Sequence, residues 1–201
     1  VPPDADLFVY SEAIPPEAPE RQAAERHGIR QQSYFAALGD LSRAYFVVAV
    51  CGTHGKSSTT AMAAKALIDA GKDPTVVVGT KVPFLSGRNW RKGTSNLFLV
   101  EACEYRRSFH FLSPDLVLVT TVDGDHFDAF PTLEAYHAAF EEFLGMLPAD
   151  GRVVLHGNDA EAVRIAGVAG RQTIDADAFG AVTLGVPGEH MRQNARLVLG
   201  M

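Results

Sequence analysis

The segment Gly52-Thr-His-Gly-Lys-Ser57 brings together residue types that hold a phosphate chain. Glycines let a backbone bend closely around a phosphate and turn its N–H groups inward. Lys56 supplies a full charge for terminal phosphates, and the Ser57 hydroxyl is placed to ligate Mg²⁺. On this reading Gly52, Thr53, His54, Gly55, Lys56, Ser57 and Ser58 form a nucleotide triphosphate site. The longer phosphate-loop pattern asks for a glycine where this chain has Val50, so the match is to a shorter G-x-x-G-K-S form. The competing reading is a Gly-rich turn that happens to start a helix. It leaves the Lys-Ser pair without a reason.

A phosphate loop needs a partner for its metal. Glu101 ends the apolar run Leu97-Phe-Leu-Val-Glu101, and Glu104 follows three residues later. A carboxylate there sits at the C-terminal edge of the sheet, where ligands bind in open α/β folds. The alternative is a solvated carboxylate at a strand end. His126, with Asp125 and Asp128 beside it, follows another apolar run and could ligate a second metal or orient a phosphate. His27, His110, His137 and His156 read as structural or solvent-facing. Arg88, Arg91, Lys92, Arg106 and Arg107 form either an anionic substrate path or a solvated rim.

These residues need strands and helices to present them. Residues 44–51 are continuously apolar and Val-rich, as a strand buried on both faces should be. A helix is expected over 57–70, stopped by Gly71, and its N-terminus adds partial positive charge at the loop. Further strands are expected at 75–78, 97–101, 116–121, 152–155 and 182–186, and helices at 131–147, 159–165 and 192–201. In the helix over 131–147, Leu133, Tyr136, Phe140, Phe143 and Leu147 recur at three and four and read as core. The alternation predicts an α/β fold: a mostly parallel sheet flanked by helices. Ahead of it, 1–42 reads as the tail of a small α/β unit, with a strand at 7–10 and a helix at 17–27 stopped by Gly28. The expected boundary lies at 42, leaving 43–201 as the nucleotide domain.

Composition narrows the function. With 201 residues, 47% hydrophobic and 21% charged, the chain resembles an ordinary globular protein. A net charge of −6 argues against nucleic acid as a partner. No apolar run approaches the ~20 residues of a membrane span, so no membrane is expected. Cys51 and Cys103 make no disulfide framework and read as small buried residues of a reduced, cytoplasmic protein. The chain starts with Val1 and ends in a helical stretch, which reads like an excerpt of something longer.

Four ordered motifs are Gly52-Thr-His-Gly-Lys-Ser-Ser-Thr-Thr60, Glu101-Ala-Cys-Glu-Tyr105, Asp125-His-Phe-Asp128 and Gly188-Glu-His190-x-x-x-Asn194-Ala195. In this order they resemble the Mur ligases of peptidoglycan synthesis, and most closely the alanine-adding branch. The resemblance covers essentially the whole chain and implies a P-loop-type central domain of an ATP-dependent amide ligase. Residues 1–42 would then close a UDP-binding N-terminal domain, with Val9-Tyr-Ser-Glu-Ala-Ile14 placing Ser11 near substrate. ATP would phosphorylate the lactyl carboxylate of UDP-N-acetylmuramate, and L-alanine would attack the acyl phosphate.

Carried over by position, Lys56 holds the β/γ phosphates, Ser57 and Glu101 serve a first Mg²⁺, and His126 a second. Asn89 falls near the phosphates, and His190 and Asn194 near adenine. Residues 127–150 contain no lysine, which suits the alanine-adding branch because some relatives carry a carbamylated lysine there. Cys103, Arg106, Thr121 and Met191 depart from the family's usual Asp, Asp, Asn and Asn. The family's third domain, which binds the amino acid, is expected outside this chain. A recycling ligase that attaches a whole peptide and a catalytically silent nucleotide-binding module are the alternatives. A generic kinase or GTPase would carry a late Asn-Lys-x-Asp motif, and none is present.

Overall fold

The computed structural model describes residues 1–124 and 129–201. The first 42 residues form β1 (Leu7–Tyr10), α1 (Pro19–Arg26), β2 (Arg30–Ser33) and α2 (Tyr34–Ser42), with β1 and β2 paired in parallel as a two-stranded sheet. The helix expected from residue 17 begins at Pro19, whose missing N–H and fixed φ suit a first helical position. Neither β2 nor α2 is expected from sequence. Arg30-Gln-Gln-Ser33 is polar, and only pairing with β1 makes it a strand. Ser33 then caps α2, its Oγ accepting from Ala36 N–H at 3.2 Å.

The rest builds a second sheet. Its elements are β3 (Phe46–Cys51), α3 (Lys56–Asp69), β4 (Thr75–Val82), β5 (Arg88–Arg91), β6 (Leu97–Glu101), β7 (Leu116–Val119), α4 (Leu133–Gly145), β8 (Arg152–Leu155), α5 (Ala160–Val168), β9 (Gln172–Asp175) and α6 (Glu189–Leu199). The spatial order is β5-β4-β6-β3-β7-β8-β9, with β4 and β5 antiparallel and every other pair parallel. The mostly parallel α/β sheet is therefore as expected. β3 lies between β6 and β7, so later strands are added on both sides of it. That is the switch point where open parallel sheets bind ligands.

Burial follows from the alternation of β3. Val47, Ala49 and Cys51 join one core with Phe98, Phe109, Phe140 and Phe143 under α4 and α5. Val48 and Val50 join the other with Ala63, Ala64, Leu99 and Leu197 under α3 and α6. Each fully buried large aliphatic or aromatic chain contributes roughly 1.5–3 kcal/mol. This two-sided core makes the central strands the rigid base of the loop.

Two expectations are corrected, and one strand is added. Residues 182–186 are not a strand: β8's outer edge is filled by Gln172–Asp175, which emerges straight from α5. β5 is an unexpected edge strand, carried by its antiparallel pairing with β4. Leu133 is 43% exposed rather than core, because it opens α4 where the helix has not yet settled on the sheet. Between β6 and β7, residues 105–111 form a 3₁₀ segment in which Arg106 and Arg107 are left-handed, with φ of 50° and 58°. α2 rests on this segment: Gly39 lies so close to Phe111 that a Cβ would meet its carbonyl oxygen at 2.3 Å. No helix among the described residues is long and apolar enough to cross a membrane.

Candidate functional site

β3 delivers the chain into Gly52, whose φ of +127° is closed to most side chains. A Cβ there would meet Thr120 Oγ1 at 2.1 Å. Gly55, at φ +80°, starts α3, and no side chain caps that helix. The first-turn N–H groups of a helix have no intrahelical acceptor, and its dipole makes that end positive. This is the geometry that receives an anion.

Thr53 anchors the loop from behind. Its Oγ1 donates to Asp123 O (2.6 Å), accepts from Asp123 N–H (2.8 Å) and lies 2.8 Å from Tyr136 Oη. Its N–H donates to Thr121 O at 2.8 Å, and His54 N–H to Thr121 Oγ1 at 3.3 Å. The Thr53 side chain thus turns into the protein and holds the loop's shape.

Lys56 reaches back over the loop. Its Nζ donates to Gly52 O (2.6 Å), Thr53 O (3.1 Å) and Glu104 Oε1 (3.0 Å). All three ammonium donors therefore have acceptors. Glu104 is fully buried, and the Lys56 side chain is 14% exposed. The sequence offers Glu104, after Glu101, as the next candidate for the metal carboxylate; the structure pairs it with Lys56.

Glu101 is brought to the loop by register, opposite Val50 on β3. Its Oε1 accepts from Ser57 Oγ at 3.0 Å, and its Oε2 from Gly79 N–H at 2.6 Å. Gly79 is a residue that sequence reasoning missed. A Cβ there would meet Glu101 Oε1 at 2.5 Å, so a side chain at this position would push the carboxylate out of its present place. The available signal is a glycine inside the β4 pattern, which often marks close approach. Among the described residues there is no cluster of three or more His, Cys, Asp or Glu able to hold a metal. Mg²⁺ does not need one, since it commonly takes one or two carboxylates plus phosphate oxygens and water. Paired hard oxygens from Ser57 and Glu101 fit that ion. His126 lies outside the described residues.

The loop separates two hollows. One, about 260 Å³, is lined by the loop with Lys56, Ser57 and Glu101. The other, about 310 Å³, lies against α6 and holds His190 and Asn194. His54, Gly55 and Ser58 line both. Asn194 touches the loop so closely that a Cβ on Gly55 would meet its Oδ1 at 2.9 Å.

Asn89 is exposed on β5, its Nδ2 donating to Val78 O at 3.3 Å, next to Gly79. Ser11 lies just after β1, its Oγ accepting from Ala13 N–H at 3.4 Å. Tyr34, at the start of α2, lies in the field of the site: burial first, then the charges of Glu101 and Glu12, push its phenol up. Burial also raises the thiols of Cys51 and Cys103, so neither is an activated nucleophile. Of the basic residues, Arg91 pairs with Asp73 and Arg107 with Glu142, while Arg88 and Arg106 lie over the rings of Trp90 and Tyr105.

Residues 50–184 match the family model of the Mur ligase middle domain. The chain is 40% identical to a UDP-N-acetylmuramate–L-alanine ligase from Nocardioides sp., over 98% of this chain and 46% of that protein. A UDP-N-acetylmuramate–alanine ligase from Thermotoga maritima superposes with a TM-score of 0.79 at 25% identity, covering 98% of this chain and 50% of that one. A UDP-N-acetylmuramate:L-alanyl-gamma-D-glutamyl-meso-diaminopimelate ligase from Neisseria meningitides shares the fold, with a TM-score of 0.83 at 23% identity over 97% of this chain and 72% of that one. The chain spans less than half the length of the curated relatives it matches, 46% and 34% for two of them.

Proposed function

The chain belongs to the Mur ligase family, and from that premise we propose that it is the ATP-binding centre of a UDP-N-acetylmuramate–L-alanine ligase. Residues 1–42 would close the UDP-binding domain, and 43–201 would form the ATP domain. The observation that carries this is the convergence of Lys56, Ser57 and Glu101 at the positive end of α3.

Phosphoryl transfer asks a protein mainly to position groups and neutralise charge. The loop amides and Lys56 would hold the β/γ phosphates of ATP. Lys56 is already aimed across the loop, and a bound phosphate would compete with the Gly52 and Thr53 carbonyls for its donors. Ser57 and Glu101 would hold a Mg²⁺, with His126 assigned to a second. A bound Mg²⁺ neutralises phosphate charge. Gly79 N–H fixes Glu101 so that one oxygen stays toward Ser57.

The γ-phosphoryl group would pass to the lactyl carboxylate of UDP-N-acetylmuramate, giving an acyl phosphate and ADP. The amino group of L-alanine would then attack that carbonyl and release phosphate. Ser11, just after β1, would border the sugar substrate, and Asn89 on β5 would lie near the phosphates. The greater length of the relatives supports a further C-terminal domain, which would bind the amino acid and exclude water on closing. ATP and a UDP-sugar are cytoplasmic metabolites, so the reaction is placed there.

The test is phosphate release from ATP by the full protein. It should require both UDP-N-acetylmuramate and L-alanine. Release that requires a peptide in place of L-alanine moves the chain to the recycling branch, and release with neither substrate refutes ligation. Glu101→Ala adds a narrower test. It should weaken ATP binding about tenfold or more with Mg²⁺ present and little with EDTA present. Equal losses under both conditions would leave Glu101 only a structural role.

A further inference from the structure

His156 follows β8 directly and stands at the same sheet edge as the phosphate loop. It is only 6% exposed and borders the 310 Å³ hollow that His190 and Asn194 also line. Its Nδ1 lies 2.8 Å from Asp177 Oδ1, and the other oxygen of Asp177 accepts from Asn158 N–H at 3.3 Å. Burial works against the charge on Asp177, but the hydrogen bonds from His156 and Asn158 outweigh it and hold the carboxyl below its ordinary range. A carboxylate only accepts, so the ring proton sits on Nδ1. In the neutral ring, Nε2 is then an acceptor. That atom is buried and has no hydrogen-bond partner among the described residues. Such an acceptor is unfavourable until something donates to it.

We propose that His156, held by Asp177, reads the base of the bound nucleotide by accepting a hydrogen bond from the amino group of adenine. The inference rests on the nucleotide reading of the loop. His54, Gly55 and Ser58 line both hollows, so phosphates in the first place the sugar and base toward the second. Adenine presents an amino group at C6, whereas guanine and hypoxanthine present a carbonyl oxygen. An Nε2 lone pair facing that oxygen sets acceptor against acceptor, and a site built this way discriminates through the unmade bond. His156 is thus a specificity residue, and Asp177 positions it by fixing the tautomer.

Direct binding of ATP, ITP and inorganic tripolyphosphate to the full protein tests this. ITP carries the carbonyl in place of the amino group. The unaltered protein should prefer ATP over ITP by roughly tenfold or more. His156→Phe keeps a ring but no acceptor, and should cut ATP affinity roughly 10- to 100-fold while leaving ITP and tripolyphosphate nearly unchanged. His156→Gln places an amide oxygen near the Nε2 position and should recover much of the preference.

Asp177→Asn is the sharpest variant. Its oxygen stays on Asn158 N–H, so its amide donates to Nδ1 and moves the ring proton to Nε2. The preference should then turn toward ITP. If His156→Phe fails to fold, the ATP-to-ITP ratios of His156→Gln and Asp177→Asn decide the matter. Equal losses for ATP and ITP in His156→Phe or Asp177→Asn, or no loss in either, overturn the proposal, as does a His156→Gln protein with no preference between the two. So does tripolyphosphate binding by the unaltered protein with no preference between the bases, an outcome that leaves the loop reading intact. A protein that binds none of the three overturns the nucleotide reading, and this inference with it.

Discussion

Lys56→Ala should lower ATP affinity at least 100-fold, measured by direct titration. The expectation follows from the donor count. Lys56 brings three N–H groups and a full charge to a pocket where its side chain is only 14% exposed. Truncating one member of a desolvated charged contact costs about 2–5 kcal/mol, and 100-fold is about 3 kcal/mol. An affinity within a few-fold of the unaltered protein would refute the phosphate role of the loop. The same substitution also removes the ammonium that pairs with the buried Glu104. Binding must therefore be read beside thermal unfolding, at a temperature where the variant is folded.

Glu104→Ala should destabilise the fold by about 3–5 kcal/mol, the usual penalty for breaking a buried ion pair on one side. For a domain of this size each kcal/mol lowers Tm by about 2–4 °C. Lys56 would keep the Gly52 and Thr53 carbonyls but lose its counter-charge. The double variant Lys56→Ala/Glu104→Ala discriminates between explanations. If the pair is what matters, the double variant loses clearly less than the two single losses added, with a coupling above about 1 kcal/mol. Additive losses would mean that Glu104 and Lys56 act through separate neighbours. The double variant should still fail to bind ATP, which separates stability from phosphate recognition.

The fold shows why the loop tolerates Val50 in place of the missing glycine. Only two positions need freedom that glycine alone provides here, Gly52 and Gly55. Val50 lies inside the buried strand, and its side chain contributes to the core under α3. The shorter loop gains strand burial where the longer pattern has a flexible residue.

The legible part of the site was local. The strand–loop–helix order and the Lys56-Ser57 pair lie within a few residues of one another, so their geometry follows from backbone conformation alone. Glu101 was legible because an apolar run of four residues ends in a carboxylate. The core stripe of α4 was legible at Tyr136, Phe140 and Phe143, since helical spacing sets which residues share a face, and Leu147 is buried just past the helix end. Leu133 failed because periodicity says nothing of how far a helix end overhangs its sheet. The strand expected at 182–186 failed for a related reason: strand propensity does not say which edge is free. The polar β2 and the cationic β5 form because a partner strand supplies their hydrogen bonds.

The sequence by itself determined the chemistry offered: a glycine-rich loop with its Lys56-Ser57 pair, a carboxylate at a strand end, and the α/β alternation that must carry them. Those features are encoded by neighbours along the chain, through backbone freedom, side-chain type and period. Only the tertiary structure decided which acid serves which partner. It gave Glu101 to Ser57 and Glu104 to Lys56, across 44 and 48 residues of sequence. It also found room for that arrangement at Gly79 and joined His156 to Asp177 across 21 residues. Such pairings are set by strand order and register, which place distant residues within about 3 Å, the range of a hydrogen bond.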